Sequence, residues 1–234
     1  MIEAKGLKFR YGIKGFDLSD IDLKAERGYI TCLLGKNGSG KTTLLKLLYG
    51  MYNPAAGEVC WKGVRVRREG LQKFRQDVAY IGDSAFIPGL KVEENIDFLK
   101  NLYPSFDEVY FEKLMKKASL TETIDKNVSV LSKGQKVKLE ICFNLARKPE
   151  FLIMDEPLAN LDPVYKVDIL ELLQSSVADD RLGILISTHL VDEVSDMVDY
   201  VVLLEDGRVK LYGDRFEVLG NSNSGKLRGL LSER

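Results

Sequence analysis

A glycine-rich segment between an apolar run and a leucine-rich run constrains the fold of this chain most strongly. Residues 29–34 are apolar and rich in β-forming side chains, which predicts a short buried strand that ends before Gly35. Four leucines in the following run predict a helix over 42–49, and Gly50 is a typical helix stop. The local order is therefore strand, glycine loop, helix, an arrangement found in α/β proteins with a parallel sheet.

The glycine loop fits the spacing G-x-x-x-x-G-K-[ST] from Gly35 to Thr42. Its glycines let backbone N–H groups curl into one concavity that holds phosphate oxygens, and the helix N-terminus that follows adds positive potential. We expect Lys41 to reach the β- and γ-phosphates and the Thr42 hydroxyl to hold Mg²⁺. The alternative is a plain glycine turn before a helix, which the strand–loop–helix setting disfavours.

Two carboxylates follow a second apolar strand. Residues 151–154 are apolar and lead directly into Asp155 and Glu156. We expect Asp155 to hold Mg²⁺ and Glu156 to accept a proton from the attacking water. A surface Asp-Glu-Pro turn would be the commoner interpretation of these residues alone. The phosphate loop upstream reverses that judgement, because such a site needs a second Mg²⁺ ligand from a neighbouring strand.

The rest of the chain alternates between strand-like and helix-like patterns. Up to about residue 70 the sequence predicts mostly strands and turns, and from about 84 to 148 the pattern is helical. The main helical segments are 92–103, 107–118 and 134–147. The elements predicted after Pro149 are a strand over 151–154, a helix over 163–175, a strand over 183–187, a helix over 190–197 and a hairpin over 200–212 around Asp206-Gly207. This order predicts a mainly parallel sheet with a helical insertion.

Composition narrows the class of protein. The net charge is −1, which gives no electrostatic reason to expect binding to nucleic acid or to an anionic membrane. Cys32, Cys60 and Cys142 are widely separated and form no C-x-x-C pair, so neither a disulfide framework nor a metal site is expected, and a reducing cytosol fits them. No signal peptide is visible, and the apolar runs are too short to cross a bilayer. Any membrane-spanning part is therefore expected on another chain.

A third motif precedes the acidic pair by about twenty residues. It reads Leu-Ser-Lys-Gly-Gln over 131–135, and Ser132 and Gln135 have the spacing of a capping box at a helix start. A capped helix N-terminus is also an anion site. Together with the phosphate loop and the acidic pair, the segment resembles the signature of ABC transporter ATPases, which is usually LSGGQ. The resemblance covers essentially the whole chain.

The resemblance implies a P-loop NTPase fold of the RecA type. Its main sheet is mostly parallel, with an N-terminal antiparallel β subdomain and an inserted α-helical subdomain. We expect one domain over 1–234, with a nucleotide-binding core over about 1–83 and 149–220, a helical signature subdomain over about 84–148 and a polar tail over 221–234.

The resemblance also assigns site residues. Tyr11 stands where such proteins stack an aromatic ring on adenine, and His189, the only histidine, stands where they place a switch histidine. A lone histidine is by default more often structural, but this one follows a strand at its carboxyl end, the usual ligand side of such a sheet. The expected phosphate contacts are Gly35, Asn37, Gly38, Ser39, Gly40, Lys41, Thr42 and Thr43. The expected Mg²⁺ ligands are Thr42, Asp83 and Asp155.

Three positions depart from the family pattern. Asp83 replaces the usual glutamine that meets Mg²⁺ and water; a carboxylate can still ligate the ion but cannot donate an amide hydrogen bond. Lys133 replaces the first signature glycine, where it either adds positive charge near the γ-phosphate or faces solvent. Ala159 begins a segment that resembles the D-loop, Ala159–Asp162, which often begins with serine. Asp162 and Pro163 also predict an N-cap and first residue of the next helix.

Several partners follow from the resemblance. The nucleotide is ATP, and a second cassette, identical or different, supplies Ser132, Gly134 and Gln135 to complete each site. A separate membrane permease is expected to contact the surface near 84–106, which places the protein in the cytoplasm on the inner face of the membrane. The aromatic residues Phe86, Phe98, Tyr103 and Phe106 belong either to that docking surface or to the core of the helical segment.

Within the family, three segments resemble bacterial exporters of antimicrobial peptides and related drug-type cassettes; they are Ile81–Asp83, Leu90–Asn95 and Tyr103–Asp107.

Other P-loop classes fit less well. A P-loop kinase or GTPase does not need the signature, and a DNA-repair or chromosome-organising ATPase carries a long coiled coil between phosphate loop and signature, which this chain lacks. Translation-associated members carry two cassettes in one chain. A soluble cassette for metal-cluster assembly remains an alternative.

Overall fold

The computed structural model describes residues 1–12, 15–82, 84–189, 194 and 196–220. The strands are β1 (Ile2–Arg10), β2 (Asp17–Ala25), β3 (Ile30–Leu34), β4 (Ala56–Trp61), β5 (Val64–Arg65), β6 (Val78–Ile81), β7 (Phe151–Asp155), β8 (Gly183–Thr188), β9 (Tyr200–Glu205) and β10 (Arg208–Asp214). The helices are α1 (Lys41–Leu48), α2 (Leu71–Asp77), α3 (Val92–Lys100), α4 (Glu108–Lys117), α5 (Lys133–Ala146), α6 (Pro163–Asp180) and α7 (Arg215–Gly220).

The main sheet has six strands in the order β10-β9-β3-β8-β7-β6. Strands β9, β3, β8, β7 and β6 run parallel, and β10 pairs antiparallel with β9 as the outer arm of a hairpin. The predicted mainly parallel sheet and the hairpin around Asp206-Gly207 are therefore confirmed. Parallel strands bring their carboxyl ends to one edge of the sheet, and the loops that follow β3, β7 and β8 meet there.

A second sheet is antiparallel and has the order β2-β1-β4-β5. It comes from the N-terminal part of the chain, so the predicted N-terminal antiparallel β structure is confirmed. Its inward side chains pack with the leucines of α1 and with one face of the main sheet. Helix α1 is thereby held between the two sheets, which fixes the direction of its N-terminus.

The strands of the main sheet serve two hydrophobic cores because successive side chains point to opposite faces. In β7, Leu152 and Met154 face one core, and Phe151 and Ile153 face the other. The first core also contains α5, α6 and the helices before them, and the second contains α1 and the antiparallel sheet. Such strands are buried on both faces, which explains their continuous apolar sequence.

Helices α3, α4 and α5 lie between β6 and β7 in the chain and form the predicted helical insertion. Phe143 of α5 is buried at their centre, with ring centroids 5.7 Å from Phe86, 5.9 Å from Tyr103 and 5.3 Å from Phe106. Three of the four aromatic residues considered for docking therefore belong to the packing of this segment. The fourth, Phe98, is 60% exposed.

Some elements differ from the sequence-based expectation. Helix α6 continues to Asp180, five residues past its predicted end, because no glycine or proline interrupts the chain there and Ser176 stays buried. Asp162 precedes Pro163 at the start of this helix, but its carboxylate accepts no capping hydrogen bond. The predicted helix over 190–197 lies largely outside the described residues, as do Asp83 and the tail over 221–234. None of the described helices is long and apolar enough to span a bilayer.

Candidate nucleotide site

The candidate site lies where three parallel strands end side by side. Leu34 at the end of β3 pairs with Thr188 of β8, and Ser187 of β8 pairs with Asp155 of β7. The glycine loop follows β3, Glu156 follows β7 and His189 follows β8. The sheet thus gathers residues that are more than a hundred positions apart in the sequence.

The glycine loop adopts a backbone that side chains disfavour. Gly38 and Gly40 have φ angles of 84° and 104°, in the region that L-residues rarely adopt. A Cβ atom on Gly40 would lie 2.6 Å from the ring of Phe16, so this position excludes larger residues by space as well as by conformation. Helix α1 begins immediately afterwards at Lys41 and directs its unpaired N-terminal amides into the same region.

Lys41 is 95% buried and its ammonium group is fully engaged. Its Nζ donates to the backbone oxygens of Gly35 at 2.8 Å and Lys36 at 3.3 Å. The same nitrogen lies 3.1 Å from Oε1 of Glu156, with 5% and 27% of the two side chains exposed. The glycine loop and the acidic pair are therefore in direct contact through this lysine.

Glu156 joins Lys41 to His189. While Oε1 faces the lysine, Oε2 lies 2.9 Å from Nδ1 of His189. Glu156 has a φ angle of 46°, which turns the chain sharply after β7. Such strained backbone positions cluster at functional sites, and this one points the carboxylate at the phosphate loop.

Asp155 is held by Ser187, a residue that the sequence analysis did not identify. The Ser187 hydroxyl donates to Oδ1 of Asp155 at 2.7 Å and accepts from the backbone N–H of Glu156 at 3.0 Å. One serine thus orients both members of the acidic pair. Its only sequence signal was its position at the end of the strand that precedes His189.

An open cavity of about 360 Å³ lies over the glycine loop. Its lining residues are Tyr11, Phe16, Asn37, Gly38, Gly40, Lys41, Thr42, Thr43 and Glu156. All except Phe16 are residues that the sequence analysis assigned to nucleotide binding or catalysis. Gly35, Ser39, Asp155 and His189 are not among the lining residues, and the last two adjoin the cavity through Ser187 and Glu156.

Tyr11 stands at one wall of the cavity with 43% of its surface exposed. Its hydroxyl is 3.3 Å from Oγ1 of Thr43, and its ring packs edge-on against Phe9 at a centroid distance of 4.9 Å. Tyr52 contacts both rings. An aromatic ring held this way offers a surface on which a nucleobase can stack. Phe16 on the same cavity was missed because it lies in an irregular loop with no motif.

The cysteines take no part in this site. All three are buried free thiols, and burial raises the pKa of Cys142 to about 12 and the pKa of Cys32 still further above its ordinary value. Each therefore stays protonated and unreactive near neutral pH. Within the described ranges, no group of three or more His, Cys, Asp and Glu side chains converges on a possible metal position.

Comparison with known proteins agrees with this geometry. A protein-family model described as ABC transporter matches residues 18–159, more than half of the chain. The chain belongs to the ABC transporter ATP-binding family. It is accordingly an ATP-binding and ATP-hydrolysing subunit of a transporter, and the resemblance inferred from the three motifs is confirmed.

Individual relatives support the family assignment over nearly the full length of this cassette. It is 34% identical over 228 residues to the energy-coupling factor transporter ATP-binding protein EcfA1 of Mycoplasma mobile, covering 94% of this chain and 82% of the relative. It is 33% identical to the energy-coupling factor transporter ATP-binding protein EcfA2 of Ligilactobacillus salivarius, and the match covers 89% of this chain and 77% of the relative. The structure of cbiO1 from Clostridium perfringens, described as part of the ABC transporter complex cbiONQ, has a TM-score of 0.80 and 28% identity, covering 94% and 90%. The resemblance to exporter-type cassettes stays a prediction.

The signature residues of this ABC cassette lie apart from its own phosphate loop. Ser132 caps α5: its hydroxyl accepts from the backbone N–H of Gln135 at 3.2 Å, and its own N–H donates to Oε1 of Gln135 at 2.9 Å. The predicted capping box is confirmed. Neither these two residues nor Gly134 lines the cavity over the glycine loop.

Proposed function

We propose that the cavity over the glycine loop binds ATP and that Lys41, Glu156 and His189 carry out its hydrolysis. The contact of Glu156 with both Lys41 and His189, at the edge of the cavity, carries this proposal. In it, the backbone amides of 35–43 hold the phosphates, and Tyr11 stacks on the adenine.

Lys41 changes partner when nucleotide binds. In the structure its ammonium neutralises the Glu156 carboxylate at 3.1 Å. A triphosphate carries more negative charge than one carboxylate and competes for the same ammonium group. Once Lys41 turns to the phosphates, Glu156 keeps its hydrogen bond to His189 and has one oxygen free to accept a proton from water. The base thus becomes available only when substrate is present.

The residues around Thr42 suit a hard cation. The Thr42 side chain is exposed in the cavity, and Asp155 contributes a carboxylate whose Oδ1 is oriented by Ser187. One hydroxyl and one carboxylate fit Mg²⁺, which favours oxygen ligands and keeps several water and phosphate ligands. We propose that Thr42 and Asp155 hold Mg²⁺, with Asp83, which lies outside the described residues, as a further ligand. When bound there, such an ion would supply positive charge that offsets the negative charge of the phosphates.

A second cassette completes each site in this proposal. Ser132, Gly134 and Gln135 form a capped helix N-terminus, which attracts anions, but they do not line their own chain's cavity. We propose that they cover the γ-phosphate of the ATP bound to a partner cassette, identical or different. ATP then lies between two chains and holds them together until it is hydrolysed.

A separate membrane permease receives the motion of the closing dimer. The proposed contact surface is near 84–106, where Ile87, Phe98 and Leu102 are 47%, 60% and 56% exposed. Such a contact places the protein in the cytoplasm on the inner face of the membrane. We further propose one ATPase domain over 1–234, with a core over about 1–83 and 149–220, a helical subdomain over about 84–148 and a tail over 221–234.

Substitution of Lys41 by alanine tests the cavity assignment. We expect the variant to bind a fluorescent ATP analogue about 10- to 100-fold more weakly, since charge-assisted hydrogen bonds to phosphate are lost. Lys36→Ala is the matched control: Lys36 belongs to the same loop, but its exposed side chain does not line the cavity. Equal affinities for the two variants in an equilibrium titration would refute the assignment of Lys41.

A further inference from the structure

Two departures from the family pattern contact each other in the structure. Nζ of Lys133, which replaces the first signature glycine, donates to the backbone oxygen of Ala159 at 2.7 Å. We propose that Lys133 is a positioning residue that ties the signature, 131–135, to the D-loop, 159–162. The proposal rests on the proposed function in one respect only, which is that the signature contacts nucleotide on a partner cassette.

The bond to Ala159 continues to the acidic pair. The backbone N–H of Ala159 donates to the backbone oxygen of Glu156 at 3.2 Å. Ala159 is therefore held on one side by the residue that faces its own chain's phosphate loop and on the other by the signature. Both contacts use the backbone groups of Ala159. Lys133 thereby links the signature, which contacts the nucleotide of a partner cassette, to Glu156, which acts on the nucleotide of its own chain.

The neighbouring contacts support a fixed geometry for this link. Gly134 packs directly on Tyr165 at the start of α6, where an added Cβ atom would lie 2.5 Å from the ring. The Ser132 hydroxyl is 3.5 Å from the Tyr165 hydroxyl. Further along, the buried Nζ of Lys138 donates to Asp168 at 2.9 Å and lies 5.1 Å from the Tyr165 ring centroid. Helices α5 and α6 are thus already held together below the link.

Lys133 differs from these neighbours because it reaches the D-loop itself. Lys138 and Tyr165 hold α5 against α6. These contacts involve Tyr165 and Asp168 of α6 and do not reach the D-loop before it. The Lys133 side chain is exposed, so its hydrogen bond is partly screened by water and its contribution is modest. A modest contribution of this kind suits a positioning role.

Amide hydrogen exchange of the nucleotide-free chain tests the link without any assumption about dimers. We expect Lys133→Met to raise exchange in the peptide containing 157–161 by about three- to fivefold, because the charge-assisted bond that restrains the loop is removed. Lys133→Arg retains a donor and should restore protection. Lys136→Met removes the same charge from the same helix, but Lys136 bonds to Ser129 instead, so it should leave this peptide unchanged. Unchanged exchange in Lys133→Met would overturn the proposal.

Steady-state kinetics then tests whether the link positions catalytic groups. Lys133→Met should lower kcat by about three- to fivefold, with affinity for the ATP analogue unchanged, and Lys133→Arg should recover the loss. A normal kcat in Lys133→Met, alongside raised exchange, would overturn the positioning role. Reduced analogue affinity in Lys133→Met would overturn it too, because it would show that Lys133 binds nucleotide directly. If ATP did not bind to the wild-type chain, the proposed function would be contradicted, whereas the exchange result, obtained without nucleotide, would still apply to the link.

Discussion

At the scale of single residues, Glu156 connects several parts of the site. Its carboxylate contacts both the phosphate-loop lysine, Lys41, and His189, which follows β8. Its backbone N–H also bonds to Ser187, so three strand ends determine the position of one carboxylate. A side chain held this firmly can act as a base with little loss of orientation when substrate binds.

Replacing Glu156 by glutamine should stop turnover and leave binding intact. The amide keeps the shape of the side chain but cannot accept a proton, so we expect kcat to fall by at least about 100-fold. Phosphate release by purified protein measures this, and analogue titration checks binding. Glu122→Gln, at an exposed position in the helical segment, controls for the lost charge. Near-normal turnover in Glu156→Gln would show that another group is the base.

Motif spacing predicted many residues of the site, and the structure explains which ones it missed. Gly38, Gly40, Lys41 and Thr42 followed from spacing because phosphate binding depends on local backbone shape, which a short segment encodes. Ser187 and Phe16 reach the site only through strand pairing and an irregular loop. Nothing in a single sequence reports such pairings, so residues of this kind become visible only in three dimensions.

At the scale of secondary-structure elements, helix ends were the most predictable feature where side chains cap them. Ser132 and Gln135 form the capping box that their spacing indicated. Asp162 makes no such bond, and α6 ends five residues after the predicted end at residue 175. Capping depends on a few local atoms, whereas the length of a buried helix depends on the elements it packs against.

Helix α4 gives a prediction about acid stability. Its N-cap residue Asp107 accepts hydrogen bonds from Lys148 Nζ at 2.7 Å and from the backbone N–H of Tyr110 at 2.8 Å. The bond from Lys148 is the main reason that the pKa of Asp107 is lowered, and the N–H of Tyr110 adds to it. Because the pKa in the folded chain is below that in the unfolded chain, this contribution is fully present above about pH 4 and is lost as pH falls through the lower folded value.

Asp107→Asn should therefore lower the melting temperature at pH 7. Below pH 4, the melting temperature of the variant should fall less steeply with decreasing pH than that of the wild type. Asparagine still caps the helix but has no charge for Lys148. Thermal unfolding followed by circular dichroism between pH 3 and pH 7 measures both effects. Asp125→Asn, at an exposed position in the same segment, should follow the wild-type curve. If the melting temperatures of the wild type and of Asp107→Asn fell equally steeply below pH 4, the role of this ion pair would be contradicted.

At the scale of the whole molecule, the main sheet separates two cores that serve different parts of the site. One core holds α1 and the antiparallel sheet and so fixes the phosphate loop. The other holds α5 and α6 and so fixes the signature and the start of the D-loop helix. The alternation of strands with helices along the sequence predicts a sheet with helices on its faces, but which helix covers which face follows from the topology alone.

Phe143 is the centre of the helical segment, and its removal should be costly. Phe143→Ala leaves a cavity among Phe86, Tyr103 and Phe106, and we expect a loss of about 3–5 kcal/mol in the free energy of unfolding. Urea denaturation measures this. Phe98→Ala, at a position 60% exposed, should change stability by less than about 0.5 kcal/mol. Similar losses for the two variants would contradict the described core.

We propose that two cassettes share each ATP through the phosphate loop of one and the signature of the other. This arrangement can be tested by size-exclusion chromatography with light scattering on the Glu156→Gln chain, with and without Mg-ATP. We predict a monomer without nucleotide and a dimer with it, and a Lys41→Ala/Glu156→Gln chain that stays monomeric throughout. A Glu156→Gln chain that binds ATP and remains a monomer at saturation would contradict a site shared between identical cassettes.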